Sequence, residues 1–299
     1  MREGIVWLSS YPKSGNTWFR IVLSRLLNQS DSLSYVNDID TILGSPMLTT
    51  RSWINKTLGS DSTLLDDDEI DQLRPAACTW YAGQLKKTAY IKIHDAYTFI
   101  KDNTPLIPAK GSLGAVYFIR NPLDVSVSLA HHAKCPIDWS IHMMGNQDFY
   151  VPLKTNNDKQ IRQRLLSWSM HVQSWTATLP FKVLVLRYED MFFKPLETFT
   201  KGAAFLNIDT SKRALQEAIV DASFHKLQQY EQRFGFKEKP ANDRPFFRKG
   251  IVGDWQNTLS KMQIQRIIHD HADMMRTYGY LDDHNQPVLN DLETNSEAF

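Results

Sequence analysis

The sequence is poor in cysteine, and its two cysteines, Cys78 and Cys135, do not form a redox or metal-binding spacing. Two cysteines cannot supply a disulfide framework for 299 residues, so we expect reduced thiols and a cytoplasmic location. Long apolar runs are also lacking. The apolar run within the opening MREGIVWLSSYP is too short for the core of a signal peptide, and no apolar stretch is long enough to span a membrane. The sequence predicts a soluble protein that is not exported by the usual route and has no membrane partner.

An excess of charge of one sign is missing as well. Lysine and arginine number 34 against 33 aspartates and glutamates, which gives no general attraction for nucleic acid or anionic membranes. Any anion site must therefore be local. The histidines at 131–132 and 269–271 have no partner ligands at a recognised spacing. We therefore predict no metal and expect these histidines on solvated helix faces.

What the sequence does contain is an alternation of strand-length apolar runs with longer segments of helical period, in a chain that is 42% hydrophobic. This pattern predicts an α/β fold, with a parallel sheet flanked by helices on both faces. We expect a single domain over residues 1–299, with a flexible tail from about 281. Strands are predicted at 4–9, 89–93, 114–119 and 182–186, helices after the first strand, near Pro122 and at 160–178, 195–206, 211–221 and 260–277, and long loops at 141–159 and 233–249.

The stretch YPKSGNTW lies between the first strand and the first helix. A strand-to-helix loop presents unpaired N–H groups and the positive end of a helix dipole, which suit a phosphate or sulfate. Gly15 permits close approach, Thr17 offers a hydroxyl and Lys13 a mobile cation. The order of residues is not that of a Walker A loop. The alternative is an ordinary turn with a helix cap at Ser14 or Asn16.

Three further stretches favour an anion site over that alternative. In FIRNPLDVSVSLAHH, Arg120 ends a strand and Ser126 and Ser128 follow inside a helix, so arginine and serine together can hold a second phosphate. In FFRKGIVGDWQN, Arg248, Lys249 and Gly250 end a long loop that can close over an anion. VLVLRYEDM ends another strand at a tyrosine.

These motifs resemble those of the cytosolic-type sulfotransferases, which use 3′-phosphoadenosine 5′-phosphosulfate (PAPS) as sulfuryl donor. YPKSGNTW is similar to the family's 5′-phosphosulfate loop, with Asn16 in place of a threonine, RNPLDVSVS to its 3′-phosphate element, and RKGIVGDW to its late motif. The three occur in the family's order over residues 11–257. The resemblance implies a P-loop-like core and transfer of a sulfuryl group to a hydroxyl, or an amine, of a small-molecule acceptor, without a metal.

The resemblance also implies a donor site. From sequence alone Trp18 and Phe224 fit core aromatics better than donor contacts, and Tyr188 can be a tyrosine at the end of a strand. The residues implied to bind the donor, and its product adenosine 3′,5′-bisphosphate (PAP), are Lys13, Ser14, Gly15, Asn16, Thr17, Trp18, Arg120, Ser128, Tyr188, Ser223, Phe224, Arg248, Lys249 and Gly250.

Sulfuryl transfer needs a base for the acceptor and a cation for the leaving phosphate. Lys13 suits the cation. His94 is the histidine at the carboxyl end of a predicted strand, where a structural role is as plausible from the residues alone. The family places its base in a Lys-Thr-His segment here, which Lys92 and His94 match in part. Family precedent makes Ser128 a brake that draws Lys13 away until the acceptor binds.

Departures from the family pattern leave the acceptor open. DAY follows His94 where the animal enzymes carry leucine and proline, and Tyr97, Trp80 and Tyr81 are guesses for an aromatic wall. The family's dimerisation motif aligns with QNTLSKMQIQ and loses its defining residues, so that dimer is not expected and the oligomeric state stays open. A noncatalytic PAP-binding sensor and, less favoured, a nucleotide or small-molecule kinase are the alternative functions.

Overall fold

The core of the protein is a parallel four-stranded sheet, seen in a computed structural model that describes residues 3–28, 33–45, 48–152, 160–239 and 244–288. Its strand order is β2-β1-β3-β6. The strands are β1 (Gly4–Ser10), β2 (Thr88–Ile93), β3 (Ser112–Ile119) and β6 (Val183–Arg187), and a separate antiparallel pair is formed by β4 (Tyr150–Val151) and β5 (Gln163–Arg164). All four predicted strands are confirmed, as is the α/β fold class.

Twelve α-helices accompany the sheet within the described ranges. Several begin where the sequence supplies a cap, as at Ser260, whose side chain takes part in a capping box. The helices are α1 (Asn16–Leu27), α2 (Ile39–Leu43), α3 (Arg51–Leu58), α4 (Asp67–Gln84), α5 (Pro122–Ala133), α6 (Ile137–Gly145), α7 (Trp168–Thr176), α8 (Tyr188–Phe193), α9 (Pro195–Phe205), α10 (Lys212–Asp221), α11 (Phe224–Phe234) and α12 (Lys261–Thr277). In the described part of the chain, no helix combines the length and apolarity that crossing a membrane requires.

Strand β1 shows why helices cover both faces of the sheet. Successive side chains of a strand point to opposite faces, and every residue of β1 is buried. Ile5 and Trp7 belong to one apolar cluster, which also takes in side chains of α4, α5, α7 and α12. Val6 and Leu8 belong to a second cluster with α1, α9, α10 and α11. The sheet is thus the middle layer of three.

Parallel pairing brings the carboxyl ends of the strands to one edge of the sheet, where ligands bind in open α/β folds. Ser9 pairs with Ile93, and Ile119 with Arg187. The segments that follow these strands therefore begin side by side. The YPKSGNTW loop, His94, Arg120 and Tyr188 all lie at this edge.

The predicted helix at 160–178 is wrong in its first half, because α7 begins only at Trp168. Leu166 has a positive φ of 59°, and the Ser167 side chain caps the helix by accepting from the Met170 N–H. Before this point Gln163 and Arg164 form β5. Tertiary contacts of the extended segment outweigh its helical pattern.

The two predicted long loops have different outcomes. The first, at 141–159, is wrong in part, since α6 continues to Gly145 and β4 follows at Tyr150, while 153–159 lie outside the described residues. In the second, at 233–249, the described residues after Phe234 contain neither helix nor strand, and 240–243 are not described.

The first residues of the predicted flexible tail are packed. Leu281 is buried and forms a β-bridge with Pro287, so the tail does not begin at 281. Residues 289–299 lie outside the described residues, and the assignment of 1–299 to one domain stays a prediction.

A buried ion pair fixes the end of β2. Both oxygens of Asp95 accept from Arg74 of α4, at 3.0 and 2.6 Å, and Asp95 also accepts from the Arg164 N–H at 2.9 Å. The Asp95 carbonyl accepts from the Trp175 indole at 2.9 Å. Asp95 is fully buried, and it follows His94 directly. This clamp ties α4, β5 and α7 to the residue after the predicted base.

Substitution of Asp95 by alanine should destabilise the fold by about 3 kcal/mol, because it leaves the Arg74 guanidinium buried with Asp71 as its remaining carboxylate partner. Urea denaturation followed by circular dichroism measures the change. The exposed Glu197, paired with Lys201, is the control, and Glu197→Ala should leave the midpoint unchanged. Equal midpoints for the two variants would contradict the role given to Asp95.

Candidate active site

The YPKSGNTW loop depends on the glycine at position 15. Gly15 has a φ of 94°, and a Cβ there would lie 2.7 Å from both Tyr188 and Met191. The loop therefore packs directly on the start of α8, and helix α1 begins at the next residue, Asn16. Thr17 stands in the first turn, where backbone N–H groups and the helix dipole favour an anion. This is the geometry that the sequence predicted for the loop.

Two loop side chains point inward. The Asn16 amide donates to the Leu8 carbonyl at 2.7 Å and to the Ser10 hydroxyl at 3.3 Å, so it ties the loop to β1. The Ser14 hydroxyl is buried and has no hydrogen-bond partner among the described residues. The Asn16 side chain therefore has a structural role in the loop, and its role in donor binding stays a prediction.

Arg120 connects the loop to the late motif. Its guanidinium donates to the Lys13 carbonyl at 3.1 Å and to the Ile251 carbonyl at 3.0 Å, and lies 4.1 Å from the centre of the Tyr188 ring. Three segments that are far apart in the sequence thus meet on one side chain. Lys13, Arg120 and Tyr188, all implied by the resemblance to bind the donor, are thus brought together.

The late loop is held by a glycine and an aspartate. Gly250 has a φ of 63°, and a Cβ there would overlap the Phe224 ring at 2.1 Å. Arg248 and Lys249 both pair with the buried carboxylate of Asp254, the lysine at 2.6 Å. The two cations predicted to close over an anion thus share one internal carboxylate.

Aromatic side chains border this region. Trp18 makes edge contacts with Phe199 at 5.5 Å and Tyr188 at 6.2 Å, and Phe224 with Phe247 at 6.5 Å. Trp18 and Phe224 both keep part of their surface exposed. Ser223, the residue before α11, does not use its side chain to cap that helix.

Lys13 lies beside a small cavity. Its ammonium is 4.4 Å from the centre of the Phe246 ring. The cavity, of about 20 Å³, has room for a water molecule and not for a nucleotide. Burial, with help from Arg120 and Lys92, lowers the pKa of Lys13 to about 7. All three motif regions contribute to the lining, together with Arg244 and Pro245; the lining residues are Lys13, Ser128, His131, His132, Arg244, Pro245, Phe246 and Arg248.

The histidine pairs are not all solvated, as the sequence analysis expected. His131 and His132 line the Lys13 cavity, and burial lowers the pKa of His132 to about 4. His271 is buried, with its Nδ1 2.9 Å from the Ser169 hydroxyl. His269 alone of these is exposed as predicted. Among the residues described, no cluster of three or more potential ligands could hold a metal.

His94 has its tautomer set by the backbone. Its Nδ1 lies 2.7 Å from the Ser10 carbonyl, which can only accept, so Nδ1 carries the proton and Nε2 keeps a lone pair. Burial and the nearby Lys92 lower the pKa of His94 to about 3. The His94 carbonyl accepts from His171, whose other nitrogen accepts from the Tyr117 hydroxyl. The imidazole is therefore neutral at neutral pH, held in place, and able to take a proton at Nε2.

Sequence reasoning missed Glu238. Its carboxylate accepts from the Thr17 hydroxyl at 3.1 Å, from the Lys92 ammonium at 3.0 Å and from the Arg20 guanidinium. The only signal in the sequence was the charged character of the loop GFKEKP. A single glutamate in a charged loop has no spacing that would have identified it.

The guessed aromatic wall is not assembled. Tyr97 is buried and contacts Phe99, Trp175 and Phe181, whereas Trp80 is half exposed on α4. The Tyr81 hydroxyl donates to the Gly44 carbonyl at 3.0 Å. These contacts give the three rings separate surroundings.

Comparisons with known proteins agree with this architecture. Mouse sulfotransferase 1B1 is 25% identical over 280 residues, covering 88% of this chain and 80% of that protein. Flavonol 3-sulfotransferase of Flaveria bidentis is 24% identical over 278 residues, covering 88% and 78%.

Two solved structures share the fold. Mouse sulfotransferase SULT7A1 complexed with PAP has a TM-score of 0.58 at 22% identity and covers 92% of this chain and 86% of that one. Retinol dehydratase in a complex with retinol and PAP has a TM-score of 0.62 at 18% identity, covering 92% and 82%. The family model for the sulfotransferase domain matches residues 4–279. Since this match takes in nearly the whole chain, including every motif described above, the protein belongs to the sulfotransferase family.

Proposed function

We propose that this sulfotransferase moves the sulfuryl group of PAPS to a hydroxyl, or an amine, of a small-molecule acceptor and releases PAP. The observation that carries the proposal is the arrangement around Lys13. Its ammonium shares one cavity with Ser128 and Arg248, at the edge of the sheet where His94 is held as a neutral imidazole. A cation for the leaving group and a base for the acceptor therefore stand at the ends of neighbouring strands.

The charged groups fit a nucleotide with two anionic ends. Thr17 and Lys92 converge on one carboxylate at the start of α1, which supports binding of an anionic end of the nucleotide here. Arg120 and Arg248 supply cations further along the same edge. Solved relatives that share the fold are complexed with PAP, which supports the same donor here.

The residues divide the chemistry between them. PAPS supplies an activated sulfuryl group, so that the acceptor oxygen bonds to sulfur as the bridge to the phosphate breaks. His94 takes the acceptor proton at Nε2, the nitrogen left free by the Ser10 carbonyl. Lys13 stabilises the charge that grows on the leaving phosphate, and Lys92 the anionic end of the donor. Ser128, on the cavity beside Lys13, restrains the ammonium until the acceptor binds.

The sulfotransferase and the two alternative functions, a kinase and a PAP-binding sensor, differ in the nucleotide from which a group is transferred. A kinase should transfer labelled phosphate from ATP, a reaction disfavoured by the absence of a Gly-Lys-Thr ending in the first loop. A PAP-binding sensor should bind the bisphosphate and transfer nothing. A panel of phenols, alcohols, amines and glycosylated natural products, offered with labelled PAPS and in parallel with labelled ATP, decides among the three. Transfer from ATP alone would overturn the proposal.

A cytoplasmic location and the absence of a nucleic-acid partner stay predictions, as does the loss of the family dimer. Several relatives carry the name cytosolic sulfotransferase, which supports the location.

Lys13→Met should lower kcat about 100-fold or more and weaken PAP binding much less than that, since the ammonium acts mainly in the transition state. Steady-state kinetics and titration calorimetry with PAP measure the two quantities. Lys201→Met, at an exposed ion pair on α9, is the control. Normal turnover in Lys13→Met would remove the lysine from the mechanism.

Binding of PAP should take up a proton at about pH 8. Lys13 is partly neutral there, because burial among cations lowers its pKa to about 7, and an anionic ligand favours the charged ammonium. The affinity for PAP therefore falls as the pH rises above 7. Calorimetry in buffers of different ionisation enthalpy counts the proton, and Lys13→Met should abolish the uptake. Uptake that persists in this variant would assign the proton elsewhere.

His94→Ala should reduce transfer to aliphatic alcohols about 100-fold or more, because they need a base. Phenols acidic enough to ionise on their own should be spared in part. Rates for an acceptor series of graded pKa measure the difference, with the exposed His269→Ala as control. An equal loss for all acceptors would point to a structural role for His94.

A further inference from the structure

We propose that Glu238 is an internal competitor of the donor. Its carboxylate occupies the anion-binding place formed by Thr17, Lys92 and Arg20, so that the anionic 5′ end of the donor binds only after this carboxylate leaves. The inference rests on the proposed function for the identity of the donor. It concerns a residue that lies outside the three motifs.

The partners of the carboxylate carry the first step. Thr17 belongs to the first turn of α1 and Lys92 to β2, and both are groups that the proposed reaction assigns to the donor. Glu238 accepts from them at 3.1 and 3.0 Å, although it lies 221 and 146 residues further along the chain. A carboxylate offers the same charge and acceptor oxygens as a phosphate or sulfate. The Glu238 carboxylate and a phosphate or sulfate cannot both accept hydrogen bonds from Thr17 and Lys92 at the same time.

Electrostatic attraction explains why the Glu238 side chain lies among these cations. Burial alone would raise the pKa of Glu238, but Lys92 and Arg20 hold it well below the usual range, so the group is ionised. Its side chain is only 19% exposed. Lys13, Lys92 and Arg20 would otherwise stand together with little compensation, since the other carboxylate paired with Arg20 is that of the half-exposed Asp40. Glu238 supplies the missing negative charge.

The backbone around Glu238 allows it to leave. Helix α11 ends at Phe234, the next residue, Gly235, has a φ of 69°, and no helix or strand includes the residues from 236 to 239. The neighbouring Lys237 is held by its N–H, which donates to the Asn37 side chain at 3.0 Å. A long unbranched side chain beside such an anchor can leave its partners by rotation about its own bonds.

The apparent affinity for the donor is then the intrinsic affinity multiplied by the fraction of molecules in which Glu238 has left the site. In return, Thr17, Lys92 and Arg20 keep the arrangement that they need for an anion, since Glu238 holds them there. Donor binding then exchanges one anion for another.

Removal of the carboxylate tests the proposal directly. Glu238→Ala and Glu238→Gln should bind PAP more tightly than the wild type, by about 5-fold or more for alanine. Titration calorimetry gives the affinities, and thermal unfolding checks that each variant is folded. Glu217→Gln, at the exposed pair with Arg213, is the matched control and should bind PAP as the wild type does. Equal or weaker binding by folded Glu238→Ala would overturn the proposal.

A second measurement needs no nucleotide. Inorganic sulfate should bind Glu238→Ala more tightly than the wild type, because the ion no longer has to displace a carboxylate from Thr17 and Lys92. Titration calorimetry measures the two affinities, and equal or weaker sulfate binding by the folded variant would contradict displacement. A wild type that neither binds PAP nor transfers sulfuryl groups would refute the proposed function, and the sulfate experiment would still decide the role of Glu238.

Discussion

The parallel pairing of β1 with β2 and β3 is the constraint on which the site depends. Ser9 pairs with Ile93, so the next step of the same register sets His94 beside Ser10, whose carbonyl fixes the imidazole. On the other side Ser10 pairs with Phe118, two residues before Arg120. A slip of one residue would turn every side chain of β2 to the opposite face. His94, the YPKSGNTW loop and the Arg120 guanidinium are thus positioned by one set of backbone hydrogen bonds.

Much of the fold was predictable because its signals are local. The apolar period marks each strand of the main sheet, and the order of lysine, glycine and threonine marks the anion loop. The errors lie where distant contacts decide. Arg162 and Arg164 reach Asp71, which keeps their segment extended although its sequence has a helical pattern. His132 lines the Lys13 cavity because a loop more than 100 residues later covers it. No pattern near either segment encodes these contacts.

The site is organised by cations that are matched to internal anions. Asp254 holds Arg248 and Lys249, and Glu238 holds Lys92. Buried charge is costly unless it is paired, and these two carboxylates compensate cations that lie at the edge of the sheet. The cations belong to sequence motifs and are recognisable from them. The carboxylates are not recognisable in this way, since an acidic residue that faces a cationic pocket has no characteristic spacing.

Gly250 and Phe224 belong to different segments, yet the Phe224 ring occupies the space that a Cβ at position 250 would need. Neither position can vary alone: a side chain at 250 would need a smaller residue at 224 and, with a φ of 63°, a strained backbone as well. Evolutionary change at this end of the pocket is therefore expected to come in correlated pairs, so that covariation in an alignment of relatives would reveal the contact without any coordinates.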